Sequence, residues 1–443
     1  QRVPSSTMPE SKPASQVNAE TGMRREVGRW QIVALSINDV IGSGIYLLPA
    51  AAAALLAGAS IWAILLAGFA VALLVLCYAA AASHFDKPGG AYLYARTAFG
   101  PFIGFQAGWM SLLTRITSVA ALSNGLALAI THFWPQAASG LTRTLIIVGA
   151  LALLAWINLI GVRSAARAGT ILTIAKLLPL LFFIVYGIGF IDWTMAKPSG
   201  LPHVDGKKLG EAALLLLFAY AGFENTPAAA GEYRNPKRDV PFALLSMIAI
   251  VTTIYVLVQF VAQGTLPGLA QAKTPLAEAA AVFAGQGAAL LLTVGAAVSI
   301  LGTIFNSTLF GPRYLYAMAV DGFLPAVFAR LHPQWRTPAA AILVQTAVAL
   351  AMALSGSFVQ LALLSVIARL FAYLATAGSV LVLARREPER ADVLRLPGGP
   401  LIPLSAIVLS LGLLASATIE NLAMGAAAVL VGSVIYAFRR KPA

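Results

Sequence analysis

INDVIGSGIYLLP, residues 37–49, interrupts the first long apolar run of the chain with two glycines, a serine and an aspartate. Glycine weakens a helix interior by about 1 kcal/mol relative to alanine. A carboxylate near the bilayer centre costs about 2.5–3.5 kcal/mol. A plain spanning helix has no use for either, so the break needs a purpose.

The surrounding chain sets the context. Its 443 residues are 59% hydrophobic and only 11% charged, with a mean hydropathy of +0.83; soluble domains carry about 25% charged residues. Apolar runs of about 20 residues cross a roughly 30 Å hydrocarbon core at 1.5 Å per residue. Such runs recur near 29–56, 60–83, 102–130, 142–161, 168–190, 209–231, 241–263, 287–311, 338–355, 359–383, 401–417 and 421–438. They are continuous, not alternating, so they read as helices: an all-α polytopic membrane protein with twelve spans.

The formal charge of +13 is distributed by side of the membrane. With twelve spans and both ends on one side, 22 Lys and Arg lie on that side, 5 on the other and 3 within spans. By the positive-inside rule this places both termini in the cytoplasm of a multi-pass cell-membrane protein. No soluble domain presents a basic cluster to nucleic acid. The single Cys77 lies within the second span and excludes an internal disulfide framework. Residues 1–28 are polar and rich in Ser and Pro and read as a disordered cytoplasmic tail, 29–438 as the transmembrane domain, and 439–443 as a second short tail.

A second break, AYAGFENTPAAAG at 219–231, lies in the sixth span, and Gly222 follows Gly42 by 180 residues. Interrupted helices at corresponding positions point to an inverted repeat with a substrate site where the breaks meet. The units are about 29–190 and 209–383, with two extra helices at about 401–438. Glycine in a membrane helix also serves simple close packing. The polar residues beside both breaks, and Pro227 at the start of a new half-helix, favour unwinding of the first and sixth helices.

Unwinding gives each break a chemistry. Free amides around Gly42, Ser43 and Gly44, at the positive start of the half-helix from Ile45, suit a carboxylate, with the Ser43 hydroxyl as a further donor. Freed carbonyls near Phe218, Ala219 and Ala221 suit an ammonium. Opposed anion and cation sites fit a zwitterion, an α-amino acid or close relative. The candidate substrate-binding set runs over Ile41, Gly42, Ser43, Gly44, Ile45 and over Phe218, Ala219, Tyr220, Ala221, Gly222. Phe218 and Tyr220 are candidates for an aromatic gate, against ordinary core packing. Asn306, Ser307 and Thr308 form a short polar patch, a possible cavity lining.

Five ionisable residues fall in the interior of spans, away from their ends: Asp39, Arg115, Lys176, Glu224 and Arg369. Each should face the bundle interior with a partner. Lys176, in TILTIAKLLPL, is the candidate for proton coupling because a buried lysine readily gives up its charge; the alternatives are snorkelling or a structural ion pair. Glu224 is open between a proton sensor, a counter-charge for cationic substrates and a structural acceptor. Asp39 reads as an ion-pair member. Arg115 and Arg369 read as structural, Arg369 near neither break.

IGSGIY (41–46), KPGGAYLYARTAFG (87–100), AKLLPL (175–180), AYAGFENTPAAAGEYRNPKRDVP (219–241) and AMAVDGFLP (317–325) resemble, in order and spacing, the amino acid-polyamine-organocation transporter family over nearly the whole chain after residue 28. The resemblance implies a LeuT-like five-plus-five inverted repeat with two extra helices and secondary transport of amino acids or amines by alternating access. It carries substrate-carboxylate binding onto Gly42, Ser43, Gly44 and Ile45, and amine binding onto the carbonyls of Phe218, Ala219 and Ala221. It places Lys176 where proton-coupled members replace a sodium site, and Glu224 where an arginine/agmatine antiporter type senses pH. The chain thus combines marks of two subgroups.

The expectation is a proton-coupled amino acid symporter, with an amino acid/polyamine exchanger as the alternative. Neither implies a cofactor or a bound metal. An embedded enzyme lacks its residues: the four histidines fall in loops or at span ends, and there is no HExxH or GxSxG. No GxxxxGK[ST] loop is present for ATP coupling. A channel needs a continuous polar lining, whereas the polar residues cluster at the breaks.

Overall fold

The computed structural model describes residues 22–131, 134–197, 216–217, 219–355, 358–386, 392–415 and 417–438. Its helices are α1 (Arg29–Val40), α2 (Gly44–Leu56), α3 (Ser60–Ser83), α4 (Ala91–Phe99), α5 (Pro101–Ile130), α6 (Gly140–Leu159) and α7 (Val162–Gly187). After a 3₁₀ run at Phe223–Glu232 follow α8 (Pro236–Thr265), α9 (Pro275–Val320), α10 (Ala339–Ser355), α11 (Phe358–Arg386), α12 (Leu401–Ala415) and α13 (Ile419–Ala437). Among the described residues the only extended pairing is a single parallel bridge between Val27 and Tyr233.

Among the described residues, eight helices are long and apolar enough to cross a bilayer, and the bent pair α1 and α2 makes nine. Two further apolar helices, α10 and α12, are shorter, at 17 and 15 residues. Of the expected sixth span, residues 209–215 and Phe218 lie outside the described residues. The molecule is therefore all-helical and polytopic.

Its surface and interior are reversed relative to a soluble protein. Val185, Val408, Leu430 and Ile171 are 65–74% exposed, while Arg115, Lys176, Glu224 and Arg313 are buried. In hydrocarbon this is the stable arrangement, since apolar side chains lose nothing by facing lipid and ionised ones must pair inside.

Two groups of helices pack around the breaks. α1 and α3 lie against α8, while α5 lies against both α9 and α11. The long α9 joins the groups by contacting α1, α5 and α7. It turns at Gly285, whose φ of +76° a side-chain-bearing residue resists. α13 is tied to α5 by Trp109 Nε1, which donates to the Ala428 carbonyl at 2.9 Å, and by Gln106, which donates to Ser433.

Structure also appears where the sequence offered none. α4 fills the expected loop between the second and third spans. Residues 22–28, assigned by composition to the tail, are ordered: Met23 and Val27 are buried, and the amides of Glu26 and Val27 both donate to the Glu232 carbonyl. Composition is blind to this because the partner lies some 200 residues away.

Candidate functional site

The first break is real and local. α1 ends at Val40, α2 begins at Gly44, and their axes bend by 48°. Among the described residues no acceptor takes the amides of Gly42, Ser43, Gly44 or Ile45, the orphan donors of a helix start. The Gly42 carbonyl accepts from Ser299 Oγ at 3.0 Å, and that of Ile41 from Ser299 Oγ at 2.9 Å.

The second break lies directly against the first. Gly222 has φ +131°, and a Cβ built on it would stand 2.6 Å from the Asp39 carbonyl oxygen. A Cβ on Gly44 would stand 3.3 Å from the Ala219 Cβ. At Gly222 only glycine allows the backbones this close, whereas at Gly44 a side chain would make Ala219 and Leu48 give by a few tenths of an ångström. The Ala219 carbonyl accepts from Tyr255 at 2.9 Å, whereas the Ala221 carbonyl accepts nothing among the described residues.

Lys176, from α7, reaches into the first break. Its ammonium donates to the carbonyls of Asn38 (2.8 Å), Ile41 (2.5 Å) and Ser299 (3.2 Å). Three donors meet three acceptors, so this cation is held by backbone freed where α1 unwinds. Asn38 and Asn306 complete the support: Asn38 Nδ2 donates to the Asn306 side chain and to the Gly302 carbonyl, and Asn306 donates to the Leu35 carbonyl.

A second charged group gathers around Glu224. Its Oε1 accepts from Arg115 Nη2 at 3.3 Å and lies in an ion pair 2.8 Å from Arg369 Nε, which makes no hydrogen bond among the described residues. Its Oε2 receives the Gly222 amide at 2.9 Å and the Tyr373 hydroxyl at 3.2 Å. Arg115 also donates to Ser307 and lies 3.7 Å from Asp39 Oδ1. Asp39 Oδ2 accepts from Asn225 at 2.7 Å. These groups are all deeply buried, so each depends on the others for compensation.

A cavity of about 70 Å³ lies between the breaks, lined by Asp39, Val40, Gly42, Ser43, Gly44, Ala219, Ala221 and Gly222 from the broken spans, and by Arg115, Ser118, Thr303, Ser307, Ser365 and Arg369 opposite. A wider cavity of about 770 Å³ adjoins it, sharing Ser43 and Leu122, and runs between α2, α5 and α9 past Leu47, Thr274 and Gln286. The other end of the bundle is closed by ion pairs: Arg29 with Asp239 (2.8 Å), Arg96 with Asp321 (2.7 Å), Arg313 with Glu232 (2.8 Å) and Arg25 with Asp86 (3.4 Å).

Several expectations are placed differently by this geometry. Arg369, expected near neither break, lines the cavity and is ion-paired with the acid of the second break. Arg115, expected as structural, lines it too. Tyr220 is fully buried against Tyr255, with ring centroids 4.9 Å apart, and its hydroxyl points to the Ile64 carbonyl, not to the cavity. Asn306 braces α1 and does not line the cavity, whereas its neighbour Ser307 does. Thr308 bonds Asn158 instead. Ile41 and Ile45 are buried and contribute backbone alone. Phe218, the other gate candidate, lies outside the described residues. Sequence reasoning missed Ser118 and Ser365, whose hydroxyls meet at 2.8 Å. Their spacing from the two arginines, three residues in α5 and four in α11, puts each beside its arginine on one helix face.

Spanning helices, two abutting backbone breaks and a cavity between them define a membrane transporter. A family model described as amino acid permease matches residues 27–436, and the chain belongs to that family. It is a transporter and not an enzyme. The chain is 29% identical to the serine/threonine exchanger SteT of Bacillus subtilis over 96% of its own length and 99% of the relative's. It is 27% identical to the branched-chain amino acid permease BcaP of the same organism, over 95% and 94%. An uncharacterized transporter of Mycobacterium tuberculosis is 30% identical, over 94% and 92%.

Proposed function

We propose that this protein is a secondary active transporter that carries amino acids across the cell membrane by alternating access, driven by protons in symport. The observation that carries the reading is the pairing of free amides at Gly42–Ile45 with the unpaired Ala221 carbonyl across one small cavity. Together they offer a carboxylate and an ammonium their opposite partners. The substrate-binding positions are then Gly42, Ser43, Gly44 and the Ile45 amide for the carboxylate, and Ala219, Ala221 and Gly222 for the amine.

Lys176 supports proton coupling. It occupies a three-carbonyl nest that would otherwise suit a metal cation, and unlike a metal ion it can release a proton in place. Glu224, already engaged by two guanidiniums, an amide and a hydroxyl, reads better as the structural centre of the cavity wall than as the moving proton. The twelve-span layout, with a five-plus-five inverted repeat followed by two helices and both termini cytoplasmic, belongs to the same proposal. It rests on the break spacing and the Lys/Arg asymmetry. On that topology the ion-paired end faces the cytoplasm and the wider cavity faces outward.

Exchange is the second reading, favoured by the likeness to an exchanger along almost the entire chain. Purified protein in liposomes separates the two. Symport predicts accumulation of a labelled amino acid under an inward proton gradient with empty vesicles. Uptake that occurs only after preloading with substrate would replace symport by exchange.

A further inference from the structure

The Arg369 guanidinium is only partly used. Its Nε faces Glu224 at 2.8 Å, but neither terminal nitrogen donates a hydrogen bond to any described residue, although the residue lines the cavity. A buried planar fork with two free donors matches a carboxylate in bidentate geometry. The charge balance points the same way. Arg115, Arg369 and Asp39 line the cavity, and Lys176 and Glu224 are buried behind them, so that with Lys176 protonated three buried cations stand against two buried carboxylates. A neutral zwitterion leaves one positive charge uncompensated, a substrate with a cationic side chain raises it to two, and one with an anionic side chain cancels it. Uncompensated charge is costly in this surrounding.

Glu224 is not placed to serve a cationic substrate: it is not among the residues lining the cavity, its Oε2 already accepts from the Gly222 amide and the Tyr373 hydroxyl, and its Oε1 accepts from Arg115 and is ion-paired with Arg369. The size of the space sets a further limit. On the side of Arg369, which the wider cavity does not reach, the space of about 70 Å³ holds on the order of five waters, enough for a short side chain only.

We infer that the site selects short dicarboxylic amino acids, with the α-carboxylate at Gly42–Ile45, the amine at the Ala221 carbonyl and the side-chain carboxylate on the free fork of Arg369. This rests on the zwitterion reading of the cavity above. It makes Arg369 a specificity-determining residue and sets the protein apart from carriers of dibasic amines.

The test is competition in liposome uptake or thermal-shift titration with aspartate, its isosteric amide asparagine, serine, lysine and agmatine. Aspartate should bind at least about tenfold more tightly than asparagine, the worth of one charge-assisted hydrogen bond, with lysine and agmatine weakest. Arg369→Gln should abolish the preference for aspartate over asparagine, and Arg369→Lys should retain part of it. Should Arg369→Gln fail to fold, the ranking of ligands on the unaltered protein decides alone. If serine or another neutral amino acid binds and aspartate does not, the inference is overturned while the transport reading stands. If no amino acid is bound or carried, the transport reading itself fails.

Discussion

Gly222 packs against Asp39 so closely that a Cβ on the glycine would stand 2.6 Å from the aspartate's carbonyl oxygen. The two interrupted spans thus meet backbone to backbone, and this contact sets the shape of the cavity between them.

Gly222→Ala should therefore be severe. The substitution places a side chain at φ +131° and forces it into the α1 backbone, costing at least the roughly 1–3 kcal/mol of a strained residue. A thermal melt in detergent should show a clear drop, and substrate binding should be lost. Gly149→Ala is the control: it sits in α6 with nothing within 4 Å and should be neutral or slightly stabilising.

Lys176→Ala removes the donor that three carbonyls share, leaving those of Asn38 and Ser299 with weaker company and that of Ile41 with Ser299 alone. Gradient-driven accumulation should disappear, even if the variant still exchanges substrate. Uptake by the variant that keeps the same dependence on external pH would remove Lys176 from the coupling mechanism.

Glu224→Gln should destabilise the fold by about 3–5 kcal/mol, because it strands two buried guanidiniums beside a neutral amide. Adding Arg115→Met should recover much of the loss. A double-mutant cycle on unfolding midpoints measures that recovery, and strict additivity would mean that the pair is not coupled.

Asp321→Asn should loosen the closed end. The carboxylate accepts from Tyr92 at 2.5 Å and pairs with Arg96 at 2.7 Å. Both groups of the ion pair are partly exposed, so its worth is modest, about 1 kcal/mol with the tyrosine included. The readout is the rate at which a thiol reagent added from that end modifies Ser118→Cys in a Cys77→Ala background, expected to rise about fivefold. An unchanged rate would show that the pair does not hold this end shut.

Much of the fold was legible because lipid imposes a simple rule on composition. Runs long enough to span stand out, and glycine beside polar residues within such a run marks an interruption of the helix. GSG and GFEN located both breaks, and the helix boundaries of α3, α5 and α8 fall within a few residues of their apolar runs. The cavity wall was far less legible. Arg369 lies in a span with no break and no motif, and its partner Glu224 is 145 residues away in sequence, so nothing local announces their meeting. Tyr220 erred the other way: it lies beside the break, but helical rotation turns its ring toward α3 and α8. Adjacency in sequence fixes which backbone lines a site, while side-chain direction depends on neighbours that only the packed bundle reveals.

The bridge between Val27 and Tyr233, together with the Glu26 and Val27 amides on the Glu232 carbonyl, fastens the stretch before α1 to the stretch after the 3₁₀ run. The described parts of the two broken spans are thus riveted at the ion-paired end, like the arms of a pair of calipers. Any motion that opens the riveted end must either swing both arms together or tear the rivet. A few residues ahead of the first span therefore decide whether those arms move as one body or as two.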